Sequence, residues 1–421
     1  MRLTLLAALA MAGAATAADP LADGRRVVFL GDSNTFAGRF IAYLDAHLLT
    51  QLPDRKVELL NLGLPSETVS GLSEPDHPYP RPNVHDRLAA ALAKTKPDVV
   101  VACYGMNDGI YYPFDEGRFQ KYQDGYRKLI SDCEQAGAKV ILMTPSPFDP
   151  TPLKGKILPK GAEKYSWLRP YEGYDKVLTR YSEWLRTFRE KGYIVADAHT
   201  AVLAHLTRMR KAESGYRVAA DGIHPDANGH FVIYKELARA LGLPGGGLSA
   251  VVDAAEGKSR TPGVSNIAVR PGRLEFTWKA PTPFPRDPAW NRQLPEVENV
   301  AGGAGQYRLT VTGLPVGRHA LYEGDRLIGS ATADEWKAGV DLGRWPELSP
   351  NRRAAELWKV LDEKTRVLGL AWLTDVGHKR PDTPKGIPLG DAQKKAAELD
   401  QKARELAAPV EVRLRVSPET K

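Results

Sequence analysis

Cysteine is almost missing from these 421 residues: there are two, Cys103 and Cys133. Two thiols make no disulfide framework, even where export permits one. Both read as free and buried, a common state for unpaired cysteine. No Cys or His pairs stand at ligand spacing, so nothing points to a zinc site. Long apolar runs are scarce as well. Met1-Arg2 is followed by "LTLLAALAMAGAA" and by the small residues Ala15-Thr16-Ala17. That pattern reads as a secretory signal peptide over residues 1–17, and it falls short of the roughly 20 residues a spanning helix needs. No other window is long and apolar enough to cross a bilayer, so no integral membrane span is expected. No Cys follows the apolar core to take a lipid. The expected destination is the periplasm or the exterior. An excess of one charge is lacking too: 58 Lys and Arg against 51 Asp and Glu leave +7, spread along the chain. Without a basic tract or interleaved aromatics there is no nucleic-acid module, and the surface reads as solvated and mildly basic. Repeats and extended low-complexity tracts are absent.

What is present is an alternation. "RVVFL", "KVELLNL", "DVVVACY", "KVILMTP" and "YIVADA" are β-branched or apolar runs that read as strands. Between and after them lie helical patterns such as "FAGRFIAYLDAHLL", "RFQKYQDGYRKLISDCEQAG" and "HFVIYKELARAL". Strands alternating with helices predict a parallel sheet covered on both faces, an α/β three-layer domain over residues 18–243. The pattern changes after Leu243. "PGGGLSAVVDAAEGKSRTPG", residues 244–263, reads as a linker. Residues 264–421 then read as a smaller β-rich, sandwich-like region with two helical segments and a last strand, "VEVRLRV", that returns to the sheet. "APTPFPRDPAWNRQLPE" is too rich in proline for a central strand.

In open parallel sheets, ligands gather beyond the carboxyl ends of the strands. Polar residues at those ends are Gly31-Asp32-Ser33-Asn34, Asn61-Leu62-Gly63 and Gly105-Met106-Asn107-Asp108, joined by "DGIHP" with Asp221 and His224. Acyl transfer needs such groups. A serine hydroxyl needs an adjacent base, a histidine shuttles the proton, and a carboxylate fixes the imidazole tautomer. The Ser33 and Gly63 N–H groups and the Asn107 amide are candidate oxyanion donors. Each also has a plainer reading: Ser33 as a helix cap, Gly63 and Asn107 as turn residues, His224 as a satisfied loop histidine and Asp221 as a cap.

At these residues the chain resembles the SGNH hydrolases, or GDSL-like esterases. "GDSN" matches the first block, with Asn34 where the family name has Leu; "NLG", "GMND" and "DGIHP" match the other three, in order, between Arg25 and Leu243. The resemblance implies a flavodoxin-like topology, Ser33 as nucleophile, His224 as base, Asp221 as its orienter, and Ser33, Gly63 and Asn107 as the oxyanion hole. It leaves Asp32 a structural role. The Gly-x-Ser-x-Gly elbow of α/β-hydrolases is missing. His85, in the Pro-rich loop with His77, and Tyr111 and Tyr112, after "GMNDG", are weaker candidates for substrate contact. Neither a metal nor an organic cofactor is implied.

The chain as a whole resembles exported multi-domain SGNH proteins assigned to carbohydrate deacetylation. The expected substrate is therefore an acylated, chiefly acetylated, carbohydrate. A general short-chain esterase or lysophospholipase is the alternative. A non-catalytic glycan-binding protein of the cell envelope is the alternative of another class. The C-terminal region is expected to brace the catalytic domain.

Overall fold

The computed structural model describes residues 19–303 and 306–419; the expected signal peptide lies outside them. Its centre is a parallel sheet in the order β2-β1-β3-β4-β5. The strands are β1 (Arg26–Gly31), β2 (Glu58–Asn61), β3 (Val99–Cys103), β4 (Lys139–Met143) and β5 (Ile194–Ala196). All four pairings are parallel. β3, at the centre, is buried along its whole length, as expected of a strand covered on both faces. The order reverses at β1, so the β1 and β3 termini open onto one crevice.

Four of the covering helices begin where an aspartate side chain takes up free N–H groups. After β1 a single turn, α1 (Ser33–Phe36), is capped by Asp32, whose carboxylate accepts from Asn34 N–H. Gly38, at φ 74°, breaks the expected continuous helix, and α2 (Arg39–Gln51) restarts beyond it. Next come α3 (Leu88–Thr95), α4 (Glu116–Gln135), α5 (Tyr174–Arg186), α6 (Ala198–Ala212) and α7 (Ala227–Ala240). Asp115, Asp197 and Asp226 cap α4, α6 and α7. Cys103 closes β3 and Cys133 lies on α4; both are free and buried.

The stretch 244–263, expected as a linker, carries a strand instead. β6 (Leu248–Asp253) pairs in parallel with β9 (Tyr307–Thr312), roughly sixty residues on. Ala250 and Val252 face inward at 0% exposure, whereas Val251 is 47% exposed. Only the glycines before it behave as a crossing. β7 (Val264–Arg270) and β8 (Arg273–Ala280) follow, then a single turn α8 (Leu294–Val297). After β9 come β10 (Arg318–Glu323), β11 (Arg326–Thr332), the short helix α9 (Ala333–Ala338) and β12 (Val340–Asp341). The long helices α10 (Ser349–Val376) and α11 (Leu389–Ala407) precede β13 (Val410–Pro418). A sheet ordered β11-β10-β13-β8-β7 faces one ordered β12-β9-β6. Their shared core holds Val252, Phe276, Trp278, Tyr307, Leu309 and Leu414, with Trp278 and Tyr307 stacked at 5.5 Å.

The expected boundary at 264 does not separate the cores. Phe284 and Leu294 of the Pro-rich segment join the α2 side of the parallel sheet, along with Leu357, Trp358 and Leu361 of α10. Leu368, Trp372 and Val376 of α10 join the opposite side. Trp358 stacks on Tyr43 of α2 at 4.5 Å, and the Tyr43 hydroxyl bonds Asp287 and Trp290. Such long-range aromatic and hydrogen-bond contacts are invisible to local pattern.

Candidate active site

Three strand ends and one loop build the site. The β1 turn presents Ser33 because Gly31 leaves no side chain beneath it. A Cβ at Gly31 would stand 2.1 Å from Thr35 Oγ1 and 2.7 Å from the Cys103 carbonyl. The Asp221–Pro225 loop approaches from the other side. Gly222, at φ 73°, lets it pass against the Asp149 carbonyl, an approach that only glycine makes without strain.

These two segments bring Ser33 Oγ to 2.8 Å from His224 Nε2. His224 Nδ1 stands 2.6 Å from Asp221 Oδ2. The other carboxylate oxygen of Asp221 accepts from Ile223 N–H at 3.0 Å and His224 N–H at 2.8 Å, which orients the carboxylate. Burial pushes the Asp221 pKa up, but the bonds and charge of His224 and the Ile223 N–H outweigh it and hold the group at about 2. Burial also disfavours imidazolium at His224, yet Asp221, with Asp32 behind it, raises the His224 pKa above its ordinary value. The arrangement can draw the hydroxyl proton onto Nε2 and steady the charge that results.

Asp32 is buried, and desolvation lifts its carboxyl to about 7, against the Asn34 N–H and the charge of His224. Asn34 is a partner that the motif did not announce. Its Nδ2 donates to Ser146 Oγ at 3.0 Å, beyond β4, and reaches the Ile223 carbonyl at 3.5 Å. It thus ties the serine turn to the histidine loop.

On the β3 side, Asn107 is 4% exposed. Its Oδ1 accepts from Arg81 Nη1 at 2.9 Å and from the Tyr111 hydroxyl at 3.0 Å. Its Nδ2 donates to the Glu67 carbonyl at 3.2 Å. One amide hydrogen is left over. Ser33 N–H stands at the first helical position, where no acceptor lies within the helix. Gly63 departs from expectation: its N–H donates to Asn61 Oδ1 at 2.9 Å, because the Asn two residues back closes an Asx turn. The backbone there presses on α1, so a Cβ would fall 2.3 Å from Phe36 N.

Of the weaker candidates, Tyr111 reaches this network and stacks on Tyr174 at 4.9 Å. Tyr112 packs edge-on against Tyr165 at 4.9 Å, under Arg118. His85 is set on a turn against α4, where burial and Lys128 lower its pKa; among the described residues no bond links it to Ser33, Asp221 or His224.

Residues 29–231 match the GDSL-like lipase/acylhydrolase family. They form a GDSL-like lipase/acylhydrolase domain. The chain is accordingly a carboxylic-ester hydrolase. A gut microbial diltiazem-metabolizing enzyme shares the fold almost end to end, at a TM-score of 0.75 and 18% identity, with 95% of this chain and 99% of that one covered. Beyond the GDSL-like domain, that overlap takes in the C-terminal sheets and helices. Acetylxylan esterase from Geobacillus stearothermophilus aligns at a TM-score of 0.36 and 20% identity, over 53% of this chain and 97% of its own. The acetyl xylan esterase AlAXEase aligns at 0.37 and 20%, over 51% and 98%. No curated protein sequence matches the chain.

The signals for Ser33, Asn107, Asp221 and His224 lie in three of the four blocks. Arg81 and Glu74 stand outside the blocks, and Asn34 stands in the first with no partner foretold by its motif. For the first two, the available signal was an Arg and a Glu seven apart in the Pro-rich loop that follows the second block.

Proposed function

We propose that the chain is an exported serine esterase that removes O-acyl groups, chiefly O-acetyl, from a carbohydrate. The observation that carries this reading is the continuous chain from Ser33 Oγ through the imidazole to Asp221, at 2.8 and 2.6 Å. Ser33 Oγ attacks the ester carbonyl as His224 Nε2 takes its proton. The tetrahedral intermediate places its oxyanion toward the Asn107 amide and the Ser33 N–H. Each such donor lowers the barrier by about 2.7–4 kcal/mol. A contribution from Gly63 requires its N–H to share or leave Asn61. The sugar hydroxylate departs with the proton from His224, and the acyl-serine remains. Water, deprotonated by His224, then attacks that ester, and Ser33 recovers its proton as the carboxylic acid leaves. Both steps balance without a cofactor.

Export rests on the signal-like residues 1–17. The carbohydrate rests on the resemblance of the multi-domain chain to exported SGNH proteins. Acetate release from a panel of acetylated glycans, with wild type beside Ser33→Ala, tests the reading. Release by wild type alone is expected. A clear preference for p-nitrophenyl butyrate or longer esters over acetate would overturn the acetyl assignment.

A further inference from the structure

We propose that Arg81 is a positioning residue for the oxyanion donor, a role that rests on the esterase reading above. A primary amide fits its surroundings in two ways, related by exchange of oxygen and nitrogen. Guanidinium only donates, so the Asn107 atom 2.9 Å from Arg81 Nη1 is the carbonyl oxygen. The Tyr111 hydroxyl donates to that same oxygen. Reversing the amide would set its NH2 against a guanidinium in a buried pocket, where unmet polar groups are costly. The nitrogen is thereby held on the other side. The Glu67 carbonyl takes one of its hydrogens, and the second is the one left to meet an oxyanion. The cation on Oδ1 also polarises the amide, which strengthens its N–H as a donor.

Arg81 is itself locked. Its Nε and Nη2 pair with Glu74 at 2.5 and 2.7 Å, and both side chains are buried. A two-pronged pair would close on itself, but here the remaining nitrogen is turned to Asn107. The Tyr111 ring lies beneath the guanidinium at 5.5 Å. The loop that carries Arg81 is tied back by Asp108, the neighbour of Asn107, whose Oδ1 accepts from the N–H groups of Val69 and Ser70. The donor and the loop that orients it thus hold each other.

Steady-state kinetics on the full chain test this, with p-nitrophenyl acetate as substrate. Asn107→Ala should lower kcat by about 100-fold. Glu74→Gln with Arg81→Met, which removes both charges together, should lower kcat by about 30-fold with KM within about twofold. Tyr111→Phe, which keeps the ring, should lower kcat by about fivefold. Arg81→Lys should recover part of the loss, as a single-point donor. In an Asn107→Ala background the other changes should cost less than about twofold, because the group they orient is gone. Equal losses with and without Asn107, or losses confined to KM, would overturn the inference. So would a crippled Asn107→Ala beside near-normal Glu74→Gln/Arg81→Met. Full activity of Asn107→Ala would instead remove the oxyanion reading itself. If the double variant does not fold, Arg81→Lys with and without Asn107→Ala decides: a loss of kcat seen only where Asn107 is present supports the role, and equal losses in both backgrounds overturn it.

Discussion

The Lys364 ammonium of α10 lies 2.6 Å from Asp45 Oδ2 of α2, with Asp400 of α11 at 2.8 Å on its other side. Lys364 and Asp45 are nearly enclosed, at 12% and 6% side-chain exposure. Three helices, two of them from beyond residue 348, therefore meet at one charge. Removing one member of an enclosed pair leaves the other uncompensated, at about 3–5 kcal/mol. Lys364→Met should lower the melting temperature by several degrees in differential scanning calorimetry, and Lys364→Met with Asp45→Asn should recover much of it. A lone Lys364→Met that melts like wild type would contradict the pair's role.

Residues 18–243 expressed alone should be poorly soluble and inactive. That fragment would expose the α2 face that Phe284, Trp358 and Leu361 cover. A soluble fragment with wild-type turnover would show the C-terminal region to be dispensable.

Base function at His224 needs the neutral ring, and its pKa is raised above 6.5. The profile of kcat/KM should therefore rise through a limb above pH 6.5 and level off at alkaline pH. Asp221→Asn should move that limb downward and lower the plateau by about 100-fold or more. For stability the sign is opposite. A raised histidine stabilises the fold while protonated, below its ordinary value, and that contribution is lost as pH rises through the folded-state pKa.

Asp32 carries a cost of burial. Its pKa rises from 3.8 to about 7, so the fold prefers the neutral carboxyl. Stability associated with it is present below pH 3.8 and falls as pH rises to 7. Asp32→Asn should stabilise the chain at pH 8, on the order of 2–4 kcal/mol, and much less at pH 4. Urea titrations at the two pH values would show a constant difference if the carboxyl were not desolvated.

Gly63→Ala should impair catalysis through position, because its Cβ would enter the backbone of the serine turn, 2.3 Å from Phe36 N and 2.7 Å from Thr35 C. A fall in kcat of about 100-fold is expected, with KM changed far less. An unaffected kcat would mean that the turn has room to move.

The legible part of the molecule was local. β1, β3 and β4 announced themselves as apolar runs, and Ser33, Asn107, Asp221 and His224 followed from sitting at their ends or in the returning loop. β6 was hidden because "LSAVVD" is short, flanked by glycine and paired with a strand far along the chain. The contacts of Trp358 with Tyr43 and of Arg81 with Asn107 were hidden because each joins residues that share no periodicity. Gly63 was half legible: the need for glycine came from its motif, but the capture of its N–H by Asn61 depended on side-chain geometry.

The position of β13 between β10 and β8 has a consequence for biogenesis. Until residues 410–418 leave the ribosome, both neighbouring strands present open edges, and the sheet has a gap in its middle. Such edges invite pairing with other chains. A nascent chain stalled ahead of this strand, or one clipped between α11 and β13, should therefore be the form that aggregates or is handed to a chaperone, although its hydrolase domain has already been fully synthesised.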